Sequence, residues 1–168
     1  DRVGAAARAR LRLGLVAYTK TRADAPEGFF AAEAAGLRWL AVPGGVPVVG
    51  VHDVSRTRLV IDRVETGPAT AQDAEQFGRQ LVRTHDAGAS CFGVGPDGGP
   101  GLGWIGDAPL PLRATPAAGW GVWYAEDRLL HHARRAGLHD PALTRVVDRL
   151  AAGEFDDDAP PARLHGDL

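Results

Sequence analysis

Between Leu15 and Leu40 the chain changes period within a few residues, and no other stretch restricts the fold as much. Leu15-Val16-Ala17-Tyr18-Thr19-Lys20 is rich in strand formers and ends on a charge. A polar loop, Ala23-Asp24-Ala25-Pro26-Glu27-Gly28, separates it from Phe29, Phe30, Ala32, Glu33, Gly36, Leu37 and Leu40, which fall near helical spacing. Upstream, Ala9, Leu11 and Leu13 alternate with Arg8, Arg10 and Arg12, and Gly14 marks a turn. Residues 8–20 therefore read as two strands about that turn.

Lys20 stands out chemically. Of 19 basic residues it is the single lysine, the others all being arginine. Lysine is a compact point charge suited to phosphate, whereas arginine presents a planar fork. At the end of a strand, Lys20 can project into a cleft. Glu33 lies on or beside the apolar side of the following helix, and two readings stand for it: a boundary residue turned to solvent, or a partner for Lys20. Two unit charges about 4 Å apart interact by about 4 kcal/mol at an effective dielectric near 20, an upper scale rather than a net gain.

Beyond Leu40 the chain turns at Val42-Pro43-Gly44-Gly45-Val46-Pro47, then offers short β runs at Val48–Val51 and Leu59–Ile61, the second ending in Asp62-Arg63-Val64. Residues 71–87 read as a helix with Thr70 as N-cap and Ala74, Phe77, Gly78, Leu81 and Val82 as its apolar stripe. His85 falls at its end, with a packing or capping role. Residues 88–119 are rich in Gly and Pro and read as irregular. Within them Gly101-Leu102-Gly103-Trp104-Ile105-Gly106 matches G-x-G-x-x-G. A dinucleotide fingerprint needs a strand before it and a helix opening within it, and here Pro96, Pro100, Pro109 and Pro111 flank the match. A helix begins again at Trp120, with Trp120, Trp123 and Tyr124 as core aromatics. Residues 141–152 form another, with Leu143, Val146, Val147 and Leu150 inward. Asp156-Asp157-Asp158 read as solvated loop charges rather than a metal site. The chain closes on Arg163-Leu164-His165-Gly166-Asp167-Leu168.

Together these stretches resemble the fructosamine kinase (ketosamine-3-kinase) family, part of a wider protein-kinase-like and aminoglycoside-phosphotransferase-like group. Val16–Lys20 followed by Phe30-Ala31-Ala32-Glu33-Ala34-Ala35-Gly36-Leu37-Arg38-Trp39-Leu40 is similar to the family's strand lysine and Phe-x-x-Glu-x-x-Gly-Leu-x-x-Leu helix. Gly78–His85 resembles its Gly-x-x-Leu-Ala-x-Leu-His helix, and Trp120–Leu130 its aromatic helix signature with Trp123 in the Phe position. Leu164-His165-Gly166-Asp167 resembles its catalytic loop. The resemblance spans roughly residues 8–168. One departure is plain: the family often carries an Asn before the Trp helix, and this chain contains no Asn, with Arg113 near that point.

The resemblance implies an α+β, two-lobed protein-kinase-like fold. Residues 1–64 would form a small β-rich N-lobe with one helix, and residues 65–168 a partial, mainly helical C-lobe ending at the catalytic loop. It implies an ATP-dependent kinase acting on the sugar hydroxyl, typically the 3-hydroxyl, of fructosamine or ribulosamine adducts, small or protein-bound. Lys20 would contact the ATP phosphates with Glu33 as its brace. Backbone groups of Asp62, Arg63 and Val64 would bind adenine, Asp167 would orient the hydroxyl and accept its proton, and His165 would shape the catalytic loop. Mg²⁺ would bridge the phosphates. The family's metal-binding Asn and Asp come after the catalytic loop, so no metal ligand is assigned here. The glycine-rich phosphate loop is at best partial, with Gly4 as its remnant. The chain is thus expected to be a piece of a longer kinase, truncated at both ends and unable to turn over alone. Two alternatives stay open: an aminoglycoside or other amino-sugar phosphotransferase, and a non-catalytic kinase-like module or scaffold.

Composition removes other classes. The 45% hydrophobic and 24% charged fractions are those of a soluble globular protein. A net charge of -2 leaves no nucleic-acid footprint. No apolar run approaches the roughly 18–20 residues of a membrane span, and no secretory leader pattern opens the chain. The single Cys91 excludes an intramolecular disulfide and fits a reducing, cytoplasmic setting. Ser55 and Ser90 are the only serines, neither in G-x-S-x-G, and His131-His132 are adjacent rather than in H-E-x-x-H. Nothing in the sequence speaks to oligomeric state.

Overall fold

The computed structural model describes residues 16–97, 99 and 101–164. Gly4, the strand expected over residues 8–13, His165 and Asp167 lie outside the described residues. In chain order the elements are β1 (Ala17–Thr21), α1 (Phe29–Leu40), β2 (Val51–Ser55), β3 (Arg58–Asp62), α2 (Ala71–Asp86), β4 (Leu102–Ile105), β5 (Ala108–Pro111), α3 (Trp120–Trp123), a π-helical segment (Tyr124–Leu130), α4 (His131–Arg135) and α5 (Pro141–Ala151). The fold is mixed α and β. An antiparallel sheet has the order β1-β3-β2, and β4 and β5 form a separate two-stranded sheet. No described helix is long and apolar enough to cross a membrane.

β3 is the spine of the first sheet. Its Leu59 is fully buried, and α1 closes over it: Phe30 and Ala34, one turn apart, meet Leu59 and Ala25, with Leu37, Val54 and Ile61 packed around them. Burying side chains such as Phe30 and Leu59 contributes about 1.5–3 kcal/mol each. α1 starts at Gly28, whose φ of 80° suits glycine and resists residues with a β-carbon. The β run expected at Val48–Val51 joins the sheet only at Val51. Before it, Gly50 gives its N–H to the Asp62 carboxylate at 2.6 Å and accepts the Asp62 N–H at 3.0 Å. The pairing then shifts register between Val51 and Asp53.

Residues 88–119 are less irregular than their composition suggests. The G-x-G-x-x-G match is one arm and the turn of the β4–β5 hairpin, with Trp104 opposite Pro109 and Gly106 in the turn at φ 56°. A two-residue turn needs positive φ, which Gly106 supplies. In a two-stranded ribbon every strand is an edge, so Pro109 and Pro111 can sit where no N–H is demanded. No helix opens within the match, which a dinucleotide fingerprint requires.

From Trp120 to Arg135 the backbone is helical throughout, with a π-helical stretch between α3 and α4. Trp120, Tyr124, Leu129 and Leu143 pack around buried Ala125, Val147 and Leu150, so two of the three expected core aromatics belong to this cluster, whereas Trp123 stacks on Phe92 with ring centroids 6.2 Å apart. Val146, expected inward, is instead exposed. Asp156 is more than a solvated charge, because its carboxylate accepts the Gly121 N–H at 2.6 Å in the first turn of α3. α2 begins with a capping box in which Thr70 and Asp73 exchange hydrogen bonds. Its expected apolar stripe is largely open: Phe77 and Val82 are exposed, and no described strand or helix packs extensively along it.

Candidate active site

The site is built from β1 and α1. Lys20 stands opposite Leu59 in the β1–β3 register. Residues directly opposite in antiparallel strands project from the same face. Leu59 is buried beneath α1, so Lys20 also points to the helix side of the sheet. On α1, Glu33 lies one residue from Ala34 and three from Phe30, the residues that seat the helix. Lys20 Nζ donates to Glu33 Oε1 at 2.5 Å, with the two side chains 42% and 29% exposed. Glu33 is therefore turned toward the strand, and Lys20 is both braced and accessible.

At the end of β3 the Asp62 carboxylate is already engaged. Besides Gly50 it bonds His52 Nε2 at 2.6 Å. The Gly50 N–H, then the His52 ring, hold this carboxyl below its ordinary range against a smaller opposing effect of desolvation. The Asp62 and Arg63 N–H groups donate to Gly50 and Val16 carbonyls, both at 3.0 Å. Val64 is exposed, and its N–H makes no hydrogen bond with a described residue.

Three further groups escaped the sequence reading. Arg22 Nη1 reaches Asp107 in the β4–β5 turn at 2.6 Å, and Phe29 packs on Trp104 with centroids 5.8 Å apart, so the hairpin leans on the start of α1. Arg113, near the expected Asn position, makes a two-pronged contact with Asp127 at 2.6 and 3.1 Å and a bond to Glu126 at 2.6 Å. These acids, Asp127 foremost, raise its pKa. Arg163 spans the ends of α1 and α2. None of these long-range pairs has a local spacing that could reveal it. His85 accepts the Gly88 and Arg163 N–H groups at its backbone carbonyl at the end of α2, contacts that do not depend on its imidazole.

Elsewhere, one surface cleft is lined by Leu130, Leu138, His139 and Leu143, and another by Pro111, Glu126, Asp127 and His131. No group of three or more His, Cys, Asp or Glu among the described residues could hold a metal ion.

A lysine braced by a helix carboxylate over an antiparallel sheet is an arrangement for holding an anion such as a polyphosphate. The fructosamine kinase family model matches residues 15–168, and the chain belongs to that family. A Thermus thermophilus protein named as a ketoamine kinase is 34% identical over 154 residues, covering 89% of this chain and 52% of its own length. The crystal structure of a Thermobifida fusca protein named as a fructosamine-3-kinase superposes with a TM-score of 0.77 at 38% identity, over 96% of this chain and 57% of that one. A Haemophilus somnus structure shares the fold at 20% identity and a TM-score of 0.58, over 88% of this chain and 50% of that one. The chain spans about half the length of these relatives.

Proposed function

We propose that the protein carrying this chain is an ATP-dependent kinase that phosphorylates the sugar hydroxyl of fructosamine- or ribulosamine-type adducts, free or protein-bound. The Lys20–Glu33 pair carries the reading, formed as it is within a chain of the fructosamine kinase family. Under it, residues 1–64 are the N-lobe and residues 65–168 part of the C-lobe of a kinase-like fold. Lys20 holds ATP phosphates and Glu33 keeps it from wandering. The strand end Asp62-Arg63-Val64 offers backbone groups to adenine, with the Val64 N–H as the donor. Asp167 orients the acceptor hydroxyl and takes its proton, a contribution of about 10²–10⁴-fold for a general base. His165 shapes that loop. Mg²⁺, when bound, would neutralise phosphate charge, and we assign it no ligands among the described residues. Buried, unpaired Cys91 suits a reducing compartment such as the cytoplasm.

The test uses the full-length gene product with ATP, Mg²⁺ and a panel: a ribulosamine, a fructosamine, a glycated peptide and an aminoglycoside. ADP release and phosphorus NMR of the products are read. Transfer to the ketosamine hydroxyl supports the proposal. Preference for the aminoglycoside moves the protein to the amino-sugar phosphotransferases, and nucleotide binding without transfer makes it a non-catalytic module. The polypeptide of residues 1–168 alone is expected to give no turnover, and turnover by it would overturn the partial C-lobe assignment.

A further inference from the structure

Arg163 sits where three segments meet. Its Nη1 donates to the Trp39 carbonyl at 2.6 Å, and its guanidinium lies 4.4 Å from the centroid of the Trp39 ring. Its Nε donates to the Gly88 carbonyl at 3.2 Å, and its backbone N–H to His85 O at 3.2 Å. The Ala89 N–H answers with a bond to Pro161 O at 3.1 Å. The Trp39 carbonyl is in the last turn of α1, where helix carbonyls lack an intrahelical acceptor role and the helix end favours a cation. Gly88 lies just past α2. One side chain therefore closes the ends of two helices while its backbone is stitched to the second.

Chain order gives this contact its meaning. Arg163 precedes His165 by two residues and Asp167 by four, and α1 carries Glu33 six residues before Trp39. We propose that Arg163 is a positioning residue. It registers the Glu33 helix against the segment leading into His165 and Asp167, so that the phosphate-holding lysine and the proton-accepting carboxylate keep one spacing. The inference rests on the kinase reading above. The leverage is large, since a misplacement of about 1 Å at a reacting centre can cost about 10²-fold in rate.

The test is made in the full-length gene product. Arg163→Met keeps a stem over Trp39 and deletes the donors, and Arg163→Lys keeps a charge but not the fork. Arg163→Met is expected to lower kcat at least about tenfold with KM for ATP and ketosamine within about threefold, and Arg163→Lys to fall between. In a Glu33→Gln background the loss should shrink below about threefold, because residues acting through one element are not additive. Hydrogen exchange over residues 37–41, measured without substrate, should quicken in Arg163→Met. A kcat loss that is fully additive with Glu33→Gln, or a wild-type kcat with unchanged exchange, overturns the proposal. Should Arg163→Met fail to fold, Arg163→Lys carries the same comparison, and wild-type kcat in that variant sinks it. If the wild-type protein transfers no phosphate, the kinase reading falls, and exchange over residues 37–41 alone decides whether Arg163 links the segments.

Discussion

Under the proposed function the Lys20–Glu33 ion pair serves chemistry rather than stability, and the two roles separate by measurement. Both are partly exposed, and such a pair contributes only about 0–1 kcal/mol to folding. Lys20→Met should therefore leave the urea midpoint nearly unchanged while weakening ATP binding at least about tenfold, the size of one charge-assisted hydrogen bond to phosphate. A nucleotide affinity equal to wild type, measured by calorimetry, would remove Lys20 from the site. Asp62 offers the complementary case. Its pKa is held below the ordinary 3.8 by the Gly50 N–H first and His52 second. A depressed carboxyl stabilises the fold fully above its ordinary value and loses that stabilisation as the pH falls through the folded one. The difference in urea midpoint between wild type and Asp62→Asn should be full above pH 3.8 and close as the pH drops below it. A gap that persists unchanged down to about pH 2 would show that ionised Asp62 does not hold the strand end.

Among the elements, legibility followed the range of the forces that make each one. α1 and α2 were plain in the sequence because apolar spacing and caps are local. Thr70 is legible as a cap from its place before the apolar stripe, and the structure adds its reciprocal partner Asp73. The β4–β5 hairpin was hidden by Pro109 and Pro111, which argue against a strand unless it lies at an edge. The π-helical segment leaves no trace in the apolar spacing, and neither does the close packing of α3 on α5. Gly121 illustrates such packing. A β-carbon there would stand 2.1 Å from the Leu150 carbonyl oxygen and 2.9 Å from Asp156 Oδ1. Backbone of α5 cannot swing aside as a flexible side chain would. Gly121→Ala should thus cost about 3 kcal/mol of stability, or about 6–12 °C in Tm for a chain of this size. A loss under about 1 kcal/mol would mean that α3 and α5 separate more easily than their contact implies.

At the scale of the whole molecule the sequence identified Lys20 and Glu33 as a candidate pair but not what fixes their surroundings. The amphipathic pattern of α2 says that a face is apolar; it does not say what covers it, and Phe77 and Val82 are exposed among the described residues. Likewise Arg163–Trp39 and Arg22–Asp107 join residues far apart in the chain, and such pairs leave no periodic trace. Thr84 is the clearest of these joints. It is a buried polar residue on α2, and its hydroxyl accepts the Val46 N–H at 3.0 Å and can donate to Gln80 O at 3.3 Å. The turn between α1 and β2 is thereby seated on α2, with Gly45 so close that a β-carbon there would lie 2.6 Å from the Thr84 oxygen. Thr84→Val preserves the shape and leaves the Val46 N–H without its partner, at a cost of about 1–3 kcal/mol. Thr84→Ser keeps the hydroxyl and sheds one methyl, about 0.8 kcal/mol. The valine variant should therefore unfold at clearly lower urea than the serine variant, although valine is the more apolar of the two. If the order is reversed, burial of the methyl rather than the hydrogen bond seats this turn on α2.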